Sequence, residues 1–565
     1  MLHLLRSLDL LLGAGFFAAA GIGWFFPTMG NRYFLAIESA GAHVAKRKAL
    51  AILTLILAAP LFRFALLPIL RVPAPVIHDE FSYLLSSDTF AHGRLTNPPH
   101  PLWRFFETIH VNQRPTYMSK YFPAQGAVLA VGQLLGHPWI GVVLSMAAMC
   151  GAILWMLQGW LPARWALLGA VLVFARLALF SYWVNSYWGG ALAACGGALV
   201  MGALPRILRR HRARDALLMG LGIAILVNSR PFEGFLLCLP VAVVMTMWLL
   251  SRRSPAWSIT LRKVCAPIAG VLLLTAIFLC YYNWRGTGHP FLTPYQVNDR
   301  AYISTPPFAW QRLRAPLHYL NPQFEAFYNT WARSYWLRMR FAVHWRVAKF
   351  AYFYLWPELG LPFLAFPWLW GRRKTRFLLI QFVFCFAVMM AIVWFEPHYA
   401  APLLATLCAL LVQAMRQIRR WQRGGRPVGI GITRAIVIYS VALLFVHSIR
   451  AAHNPDRQSL VSSEAVWGAP GNWQREQVLA RFQAMPGKHL AIVRYSPDYG
   501  AGEWVYNGGD LARAKVVWAR EIPGVDPKPL LDYYQDRSAW LVEPGPEHAK
   551  VEPYSVNHCL ISNLR

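Results

Sequence analysis

The most chemically suggestive stretch of the sequence is His78-Asp79-Glu80-Phe81-Ser82-Tyr83, which follows the apolar run 49–70. Its two adjacent carboxylates come directly after a hydrophobic segment, where a charge is costly and is usually retained for a function. A carboxylate there can accept a proton from an attacking hydroxyl group. The structural alternative is that Asp79 caps a surface helix and Glu80 lies in its first turn. We favour the catalytic interpretation, because an acidic pair at a membrane boundary seldom has a purely structural role.

Other polar candidates lie at the ends of later apolar runs. Lys120 lies just ahead of the short apolar run 124–135, where a lysine that snorkels at a membrane interface is the structural interpretation. Arg230 could meet a phosphate, or it could simply pair with Glu233. The remaining candidates, which could contact a phosphate or a sugar, are Asn283, Arg285, His398 and Tyr399.

The composition indicates that these residues are positioned by a polytopic membrane protein. Of 565 residues, 56% are hydrophobic and 14% are charged, which a single soluble core would not require. The formal charge of +30 could suggest nucleic acid as a partner. However, clusters of Arg and Lys at 206–214, 251–263, 371–376 and 416–434 fall in gaps between apolar runs. That distribution is typical of cytoplasmic loops, so a nucleic-acid-binding surface is the weaker interpretation.

The apolar runs have the length of helices that cross the hydrocarbon core. The basic segment 46–48 precedes the first of them and orients residue 71 onward to the outer face. The run 10–26 is near the lower limit for a span and predicts a membrane or interfacial helix. The predicted crossings are 49–70, 138–159, 165–181, 189–205, 216–232, 235–250, 264–283, 350–370, 377–394, 400–415 and 434–450.

We therefore predict an α-helical polytopic membrane protein with about 11–12 transmembrane helices and three regions. Residues 1–48 hold the N-terminal apolar helix and a cytoplasmic basic segment. Residues 49–450 form the transmembrane domain, with outer loops at 71–137 and 284–349. The first loop is expected to lie on the membrane surface as short helices, one of them at 124–135, and the Trp and Arg residues of the second are suited to lipid phosphates.

The polar segment 451–565 predicts a small extracytoplasmic α/β domain. Helical patterns at 474–485 and 529–534 alternate with strand-like runs at 489–495, 514–518 and 539–542. Cys559 is the only one of the eight cysteines in this polar tail, and the other seven lie in or beside apolar runs. The spacing of cysteines and histidines does not indicate a metal site, and His78, His92, His100 and His110 are expected to be satisfied or solvated.

Several segments together resemble the GT-C membrane glycosyltransferases, and within them the branch of protein O-mannosyltransferases and lipid A aminoarabinose transferases. The order of an early span, an outer Asp-Glu pair, a long outer loop, about eleven spans and an outer C-terminal domain is similar. The resemblance extends to about residue 450. The segments that carry it are 78–83 (HDEFSY), 119–123 (SKYFP), 228–234 (NSRPFEG), 281–285 (YYNWR) and 396–402 (EPHYAAP).

The resemblance implies an inverting transferase of a hexosyl or pentosyl sugar at the outer face of a bacterial inner membrane. It implies Asp79 as general base and Glu80 as an orienting or acceptor-binding partner. The donor would be a sugar linked to polyprenyl phosphate, its phosphate held by Lys120, Arg230 and Arg285. Substrate contacts would come from Tyr83, Glu233, Asn283, His398 and Tyr399. His398 departs from the Arg-Tyr pair usual in the family, which favours a bond to a sugar hydroxyl over phosphate binding.

Some questions stay open at the level of sequence. No cofactor is predicted, although a divalent cation at Asp79 remains compatible with the resemblance. The partners are the lipid-linked donor, membrane lipids and an extracytoplasmic lipid, glycan or protein acceptor, but not nucleic acid. A transporter or flippase of lipid-linked sugars is one alternative, disfavoured because no repeat relates the halves and the spans contain few acidic residues. A ligase or polymerase of lipid-linked glycans, another alternative, would use the same chemistry.

Overall fold

The computed structural model describes residues 2–251, 255–453, 471–496, 502–545 and 548–555. The chain is mostly helical, and Gly, Pro and charged residues separate its apolar runs into successive helices. The helices of the first half are α1 Leu2–Phe25, α2 Asn31–Lys46, α3 Lys48–Ala65, α4 His78–Ala91, α5 Pro123–Leu134, α6 Pro138–Trp160, α7 Ala163–Leu177, α8 Ala191–Arg210, α9 Ala213–Val227 and α10 Pro231–Leu249.

The second half continues with helices and ends in a sheet. A π-helical stretch, Leu261–Cys265, joins α11 and α12 into one long helix, and Glu325–Ala332 joins α14 to α15 in the same way. The helices are α11 Trp257–Thr260, α12 Ala266–Thr287, α13 Pro294–Tyr302, α14 Pro322–Phe324, α15 Arg333–Met339, α16 Val343–Tyr354, α17 Gly360–Leu364, α18 Arg373–Met389, α19 Leu404–Ile418, α20 Val428–His453, α21 Trp473–Ala484 and α22 Lys528–Tyr533. The strands are β1 Val111–Asn112, β2 Met118–Ser119, β3 Lys488–Val493, β4 Val516–Arg520, β5 Arg537–Glu543 and β6 Lys550–Pro553.

Among the described residues, seven helices are long and apolar enough to cross a membrane, which confirms the polytopic fold class. Helices α7, α9 and α18 correspond to the predicted crossings 165–181, 216–232 and 377–394, but with 15, 15 and 17 residues they are shorter. The apolar segment Leu10–Phe25 is also a shorter helix. The seven are Lys48–Ala65, Pro138–Trp160, Ala191–Arg210, Pro231–Leu249, Trp257–Thr287, Pro397–Ile418 and Val428–His453.

The prediction of one continuous crossing over 350–370 is wrong. Helix α16 ends at Tyr354, and only the short α17 and a 3-10 turn at Phe366–Leu369 follow. Pro357, Pro362 and Pro367 lie in this segment, and proline removes a backbone donor and clashes with the preceding turn. The side chain of Arg176 donates hydrogen bonds to the carbonyls of Phe353 and Trp356, at 2.8 and 2.6 Å. A break in a membrane helix is tolerated where freed backbone groups find such partners.

Helix α6 lies at the centre of the bundle, packed against α3, α5, α7 and α8. Of its most apolar 18-residue window, 78% is buried within the protein, whereas the corresponding value for Trp257–Thr287 is only 6%. The latter helix is apolar as well, so its exposed surface is suited to lipid. The bundle therefore has a protein-enclosed centre and a lipid-facing edge.

The loop between α3 and α6 contains two packed helices, α4 and α5, and the two-stranded antiparallel pair β1 and β2. Helix α5 coincides with the short helix predicted at 124–135. The β1–β2 pairing sets Val111 opposite Ser119 and Asn112 opposite Met118. This pairing brings the residues just before Val111 and just after Ser119 together beside the start of α4.

The C-terminal domain is confirmed as a small α/β unit. Its sheet has the order β4-β3-β5-β6, with β3 parallel to β4 and β5 and with β6 antiparallel to β5. The order of helices and strands matches the predicted one, and β6 is a fourth strand that was not predicted. Within the predicted region 451–565, residues 454–470, 497–501, 546–547 and 556–565, including Cys559, lie outside the described residues.

A close backbone approach between α1 and α20 yields a first prediction. A Cβ atom at Gly23 would lie 2.6 Å from the carbonyl oxygen of Gly431, whereas a Cβ atom at Gly21 has no neighbour within 4 Å. Gly23→Ala should therefore lower the free energy of unfolding by about 1–3 kcal/mol through overpacking. Thermal melting in detergent measures the effect. Gly21→Ala, in the same helix, is the matched control and should melt at or slightly above the wild-type temperature. Equal melting of the two variants would contradict the prediction.

Candidate active site

Asp79 lies in the first turn of α4, and the start of this helix is fixed by the neighbouring Glu80. The chain is extended at Ile77 and becomes helical at His78. One carboxylate oxygen of Glu80, Oε2, accepts hydrogen bonds from the backbone amides of Val76 and Ile77 at 2.9 and 3.2 Å. A glutamate at this position commonly closes the first turn by such a bond. Because Glu80 satisfies the helix terminus, Asp79 is not needed for capping.

The second carboxylate oxygen of Glu80 connects α4 to the loop between α7 and α8. Oε1 accepts a hydrogen bond from the backbone amide of Tyr187 at 3.0 Å. Only 1% of Glu80 is exposed, and this burial raises its pKa to about 7, against the effect of the three amide hydrogen bonds. The side chain is thus occupied by backbone contacts, and the structure gives it a positioning role.

The carboxylate of Asp79 faces side chains from the following loop. The hydroxyl group of Tyr121 donates a short hydrogen bond to Oδ1, and Nε2 of His110 lies 3.8 Å from Oδ2. The ring of Tyr121 stacks on that of Tyr83, with 4.5 Å between centroids. Burial raises the pKa of Tyr121 well above its usual value, so the phenol remains a donor. The side chain of Asp79 stays 27% exposed, which leaves it accessible to a substrate.

Lys120 is buried beside Asp79 in a box of aromatic rings. Its ammonium group lies 5.1 Å from the ring centroid of Tyr121 and 5.0 Å from that of Tyr295. Burial lowers the pKa of Lys120 to about 8, while the charges of Asp79 and Asp299 act in the opposite direction. A partly dehydrated ammonium group in such a box is prepared to exchange ring contacts for an anionic ligand.

Arg230 brings a second cation to the same cluster. It lies immediately before α10, and its guanidinium group is 4.4 Å from the ring centroid of Tyr399. The pKa of Tyr83 is raised to about 12, first by burial, with Arg230 lowering it and Asp79 and Glu233 raising it. The charges of Arg230, Asp79 and Glu233 thus all act on the Tyr83 phenol. The structure thus brings Asp79, Tyr83, Lys120, Arg230, Glu233 and Tyr399 together.

His398 is held within the protein next to this cluster. Its Nδ1 atom lies 2.9 Å from the hydroxyl of Tyr182, and its backbone amide donates to the same oxygen at 3.1 Å. The ring also contacts Trp188, with 4.6 Å between centroids. With 1% of the residue exposed, these contacts leave little of the imidazole open to a ligand.

Asn283 and Arg285, the last two candidates, are not drawn into the cluster. Asn283 donates a side-chain hydrogen bond to the carbonyl of Pro290 at 3.1 Å and so shapes the turn after α12. Arg285 is exposed on α12. Within the described residues it makes no hydrogen bond, ion pair or ring contact with the Asp79 cluster.

Sequence reasoning missed His110, Tyr121 and Tyr295 as members of the site. Tyr121 stood inside the matched segment 119–123, beside Lys120, and that proximity was its signal. His110 has a backbone φ of 69°, in the left-handed region, and its Nδ1 atom is buried without a hydrogen-bond partner. No pattern in the sequence connects His110 or Tyr295 with Asp79, because the connection depends on the pairing of β1 with β2 and on the packing of α13.

The residues around Asp79 can also be compared with the requirements of a metal ion. The described residues contain no group of three or more His, Cys, Asp or Glu side chains arranged to hold one. Asp79 and His110 supply two such side chains, and Tyr121 and Lys120 complete the surroundings of the carboxylate. This donor set does not fit a protein-held divalent cation, so no step of the reaction is assigned to one.

Comparison with known proteins finds similarity in structure alone. No protein-family model and no curated protein matches the chain. Among solved structures, ArnT from Cupriavidus metallidurans in the apo state is 14% identical to this chain, with a TM-score of 0.47. The match covers 87% of this chain and 92% of the ArnT chain. The same protein bound to undecaprenyl phosphate gives 12% identity and a TM-score of 0.47, with coverage of 88% and 92%. The Archaeoglobus fulgidus oligosaccharyltransferase tethered with an acceptor peptide gives 11% identity and a TM-score of 0.46, with coverage of 87% and 68%.

The buried contacts of Glu80 lead to a second prediction. Glu80→Ala leaves the amides of Val76, Ile77 and Tyr187 without their acceptor, and an unsatisfied buried group costs about 1–3 kcal/mol. The variant should melt at a clearly lower temperature in detergent. Glu80→Gln retains one side-chain oxygen as acceptor and should fall between the alanine variant and wild type. Asp532→Asn, at an exposed position in the C-terminal domain, is the control. Wild-type melting of Glu80→Ala would disprove the positioning role.

Proposed function

We propose that this protein is an inverting membrane glycosyltransferase of the GT-C type, with Asp79 as its general base. The observation that carries the proposal is the composition of the cluster around Tyr83 and Tyr121. A partly exposed carboxylate, Asp79, shares this cluster with two cations, the buried Lys120 and the half-buried Arg230. Transfer of a sugar from a phosphate to a hydroxyl group needs this combination, a proton acceptor for the nucleophile and positive charge for the leaving group.

In the proposed reaction, the oxygen of an acceptor hydroxyl attacks the anomeric carbon of the donor as the bond from that carbon to the phosphate oxygen breaks. The leaving polyprenyl phosphate takes the electron pair of the broken bond, and the configuration at carbon is inverted. Oδ2 of Asp79 accepts the hydroxyl proton, because Oδ1 already accepts the hydrogen bond from Tyr121. That bond holds the carboxylate in place before the acceptor arrives.

The two cations, Lys120 and Arg230, are assigned to the leaving phosphate. Lys120 and Arg230 both lie over aromatic rings, and within the described part of the chain neither forms an ion pair with a carboxylate. A phosphate entering between them would gain charge-assisted hydrogen bonds that strengthen as negative charge develops on the leaving group. A planar guanidinium group can bind two phosphate oxygens at once, which favours Arg230 for orientation of the donor.

The remaining candidates receive different roles in this proposal. Tyr83, Glu233 and Tyr399 line the cluster and are assigned to substrate contacts. Glu80 holds α4 in place, and His398 packs next to the cluster through its contact with Tyr182. Arg285 and Asn283 are not part of the site. The donor is proposed to be a sugar on polyprenyl phosphate at the outer face of a bacterial inner membrane, where nucleotide sugars are absent. The acceptor would be a hydroxyl of a lipid, glycan or protein of the cell envelope.

Asp79→Asn provides the direct test, with membranes of an expressing strain and a panel of radiolabelled polyprenyl-phosphate sugars. Asparagine retains the size of the side chain and removes its basicity, so transfer should fall by about two to four orders of magnitude. Asp532→Asn should transfer at the wild-type rate and controls for expression and insertion. Transfer by Asp79→Asn at the wild-type rate would exclude this base. Consumption of no donor by the wild type would instead favour a transporter of lipid-linked sugars.

The lowered pKa of Lys120 predicts a specific dependence on pH. Because this pKa is about 8, the ammonium charge is lost as the pH rises above 8 in the free enzyme. The kcat/KM value for the donor, which reports on the free enzyme, should therefore fall on the alkaline side of about pH 8. Lys120→Arg retains its charge at every pH of the assay and can stack in the same aromatic box. Its profile should lack this alkaline limb, and an unchanged limb would exclude Lys120 as its source.

A further inference from the structure

The C-terminal domain is in direct contact with the beginning and the body of α4. The backbone amide of Glu503 donates to the carbonyl of Val76 at 3.3 Å, just before the helix. Further along, the backbone amide of Gly509 donates to Oδ2 of Asp88 at 2.7 Å. Between them, Arg475 places its guanidinium group 5.2 Å from the ring centroid of Phe81. The segment that begins at Glu503 therefore runs alongside α4, the helix that carries Asp79.

Glu503 is the charged residue of this segment that lies beside the first turn of α4. Only 2% of it is exposed, and its Oε2 atom forms a short ion pair with Nη2 of Arg520. Its Oε1 atom accepts hydrogen bonds from the hydroxyl of Tyr495 at 2.6 Å and from the amides of Trp504 and Val505, both at 2.9 Å. Arg520 also donates to the carbonyl of Glu107, so the ion pair joins the C-terminal domain to the outer loop. The carboxylate is rigidly held.

Glu503 remains ionised in this position. Burial alone would raise its pKa, but the charge of Arg520, together with hydrogen bonds from Tyr495 and Val505, holds the pKa below its usual value. A buried carboxylate with such partners is a fixed negative charge at neutral pH. Its orientation toward α4 therefore has an electrostatic consequence for the residues of the first turn.

His78, the residue before Asp79, faces this fixed charge. Its Nδ1 atom lies 3.6 Å from Oε2 of Glu503 and has no hydrogen-bond partner among the residues that the structure describes. The ring contacts those of His110 and Phe327, with centroids 6.3 and 5.3 Å away. Burial lowers the pKa of His78, although the charges of Glu503 and Asp79 act against it. The imidazole is therefore neutral, and a carboxylate beside Nδ1 favours the tautomer that carries its proton there.

We propose that Glu503 of the C-terminal domain is a positioning residue of the active site, which fixes the tautomer and orientation of His78 and, through it, the placement of His110 and Asp79. The inference rests on the proposed function for its catalytic meaning. It assigns the C-terminal domain a part in transfer, since this domain supplies the carboxylate that lies beside Nδ1 of His78. A carboxylate that orients a neighbouring imidazole in this way is a general device of enzyme active sites.

The role of Glu503 can be separated from the attachment of the domain. Tyr117 donates to the carbonyl of Asn507 at 2.8 Å, and Thr108 donates to that of Val505 at 2.6 Å. These bonds, with that from Gly509 to Asp88, hold the domain against the loop and α4 without contact to His78. Removal of the charge at Glu503 therefore should not release the domain.

The test compares Glu503→Gln with Glu521→Gln. Glu521 is also a mostly buried carboxylate of the C-terminal domain, but its ion pair is with Arg494 of the same domain. Glu503→Gln should lower kcat by about 10- to 100-fold through misplacement of the reacting groups, with the donor KM little changed. Glu521→Gln should leave both constants near wild type. Equal losses in the two variants, or no loss in Glu503→Gln, would overturn the proposal.

A second measurement does not depend on transfer. In nanodiscs with ¹⁵N-labelled histidine, the resonances of His78 are assigned from the His78→Gln protein, and their shifts report which ring nitrogen carries the proton. The wild type and Glu503→Asp should show the proton on Nδ1, and Glu503→Gln should lose this preference. The groups that face His78 are Glu503, Asp79, Arg520, Lys120 and His110, so all spectra are compared at one pH. A tautomer unaffected by Glu503→Gln overturns the inference, whereas the expected change without any sugar transfer contradicts only the proposed function.

Discussion

The arrangement of the site depends on the carboxylate of Glu80 and the three backbone amides whose hydrogen bonds it accepts. Those amides belong to the chain before α4 and to the loop between α7 and α8, so one side chain sets both the first residue of the helix and its distance from the bundle. A buried carboxyl group that accepts hydrogen bonds from three donors resists displacement, since any shift leaves polar groups without partners. Asp79, one residue earlier, thereby acquires a defined position without using its own oxygens on the backbone.

The two adjacent acids therefore differ in function because their surroundings differ. Glu80 is enclosed and hydrogen-bonded to amides, while Asp79 contacts Tyr121 and His110 and stays partly exposed. Around Asp79 the positive groups are held over aromatic rings and not in ion pairs with it. This separation keeps a basic carboxylate and cations for a phosphate in one cluster without mutual neutralisation, which is the requirement of the proposed displacement.

A residue of the C-terminal domain, far away in sequence, also contacts the first turn of α4 through a buried carboxylate. The domain's Glu503–Arg520 pair is buried against the loop and α4, and it presents a fixed charge to His78. The bundle supplies the membrane-embedded frame, and the domain completes the surroundings of the first turn of α4. The loop between α3 and α6, which includes α4, and the segment after Glu503 are thus joined by direct hydrogen bonds.

The sequence by itself determined the apolar helices, the α/β order of the C-terminal domain and the acidic pair at the start of α4, because these follow from local periodicity and composition. It also singled out Lys120, Arg230 and Tyr399 as candidates for the site. Only the tertiary structure decided that Glu80 binds backbone amides, that 350–370 is broken around Arg176, and that His110, Tyr295 and Glu503 surround the first turn of α4. Such contacts join residues tens to hundreds of positions apart, and no local pattern encodes which of many buried polar groups will meet when the chain packs.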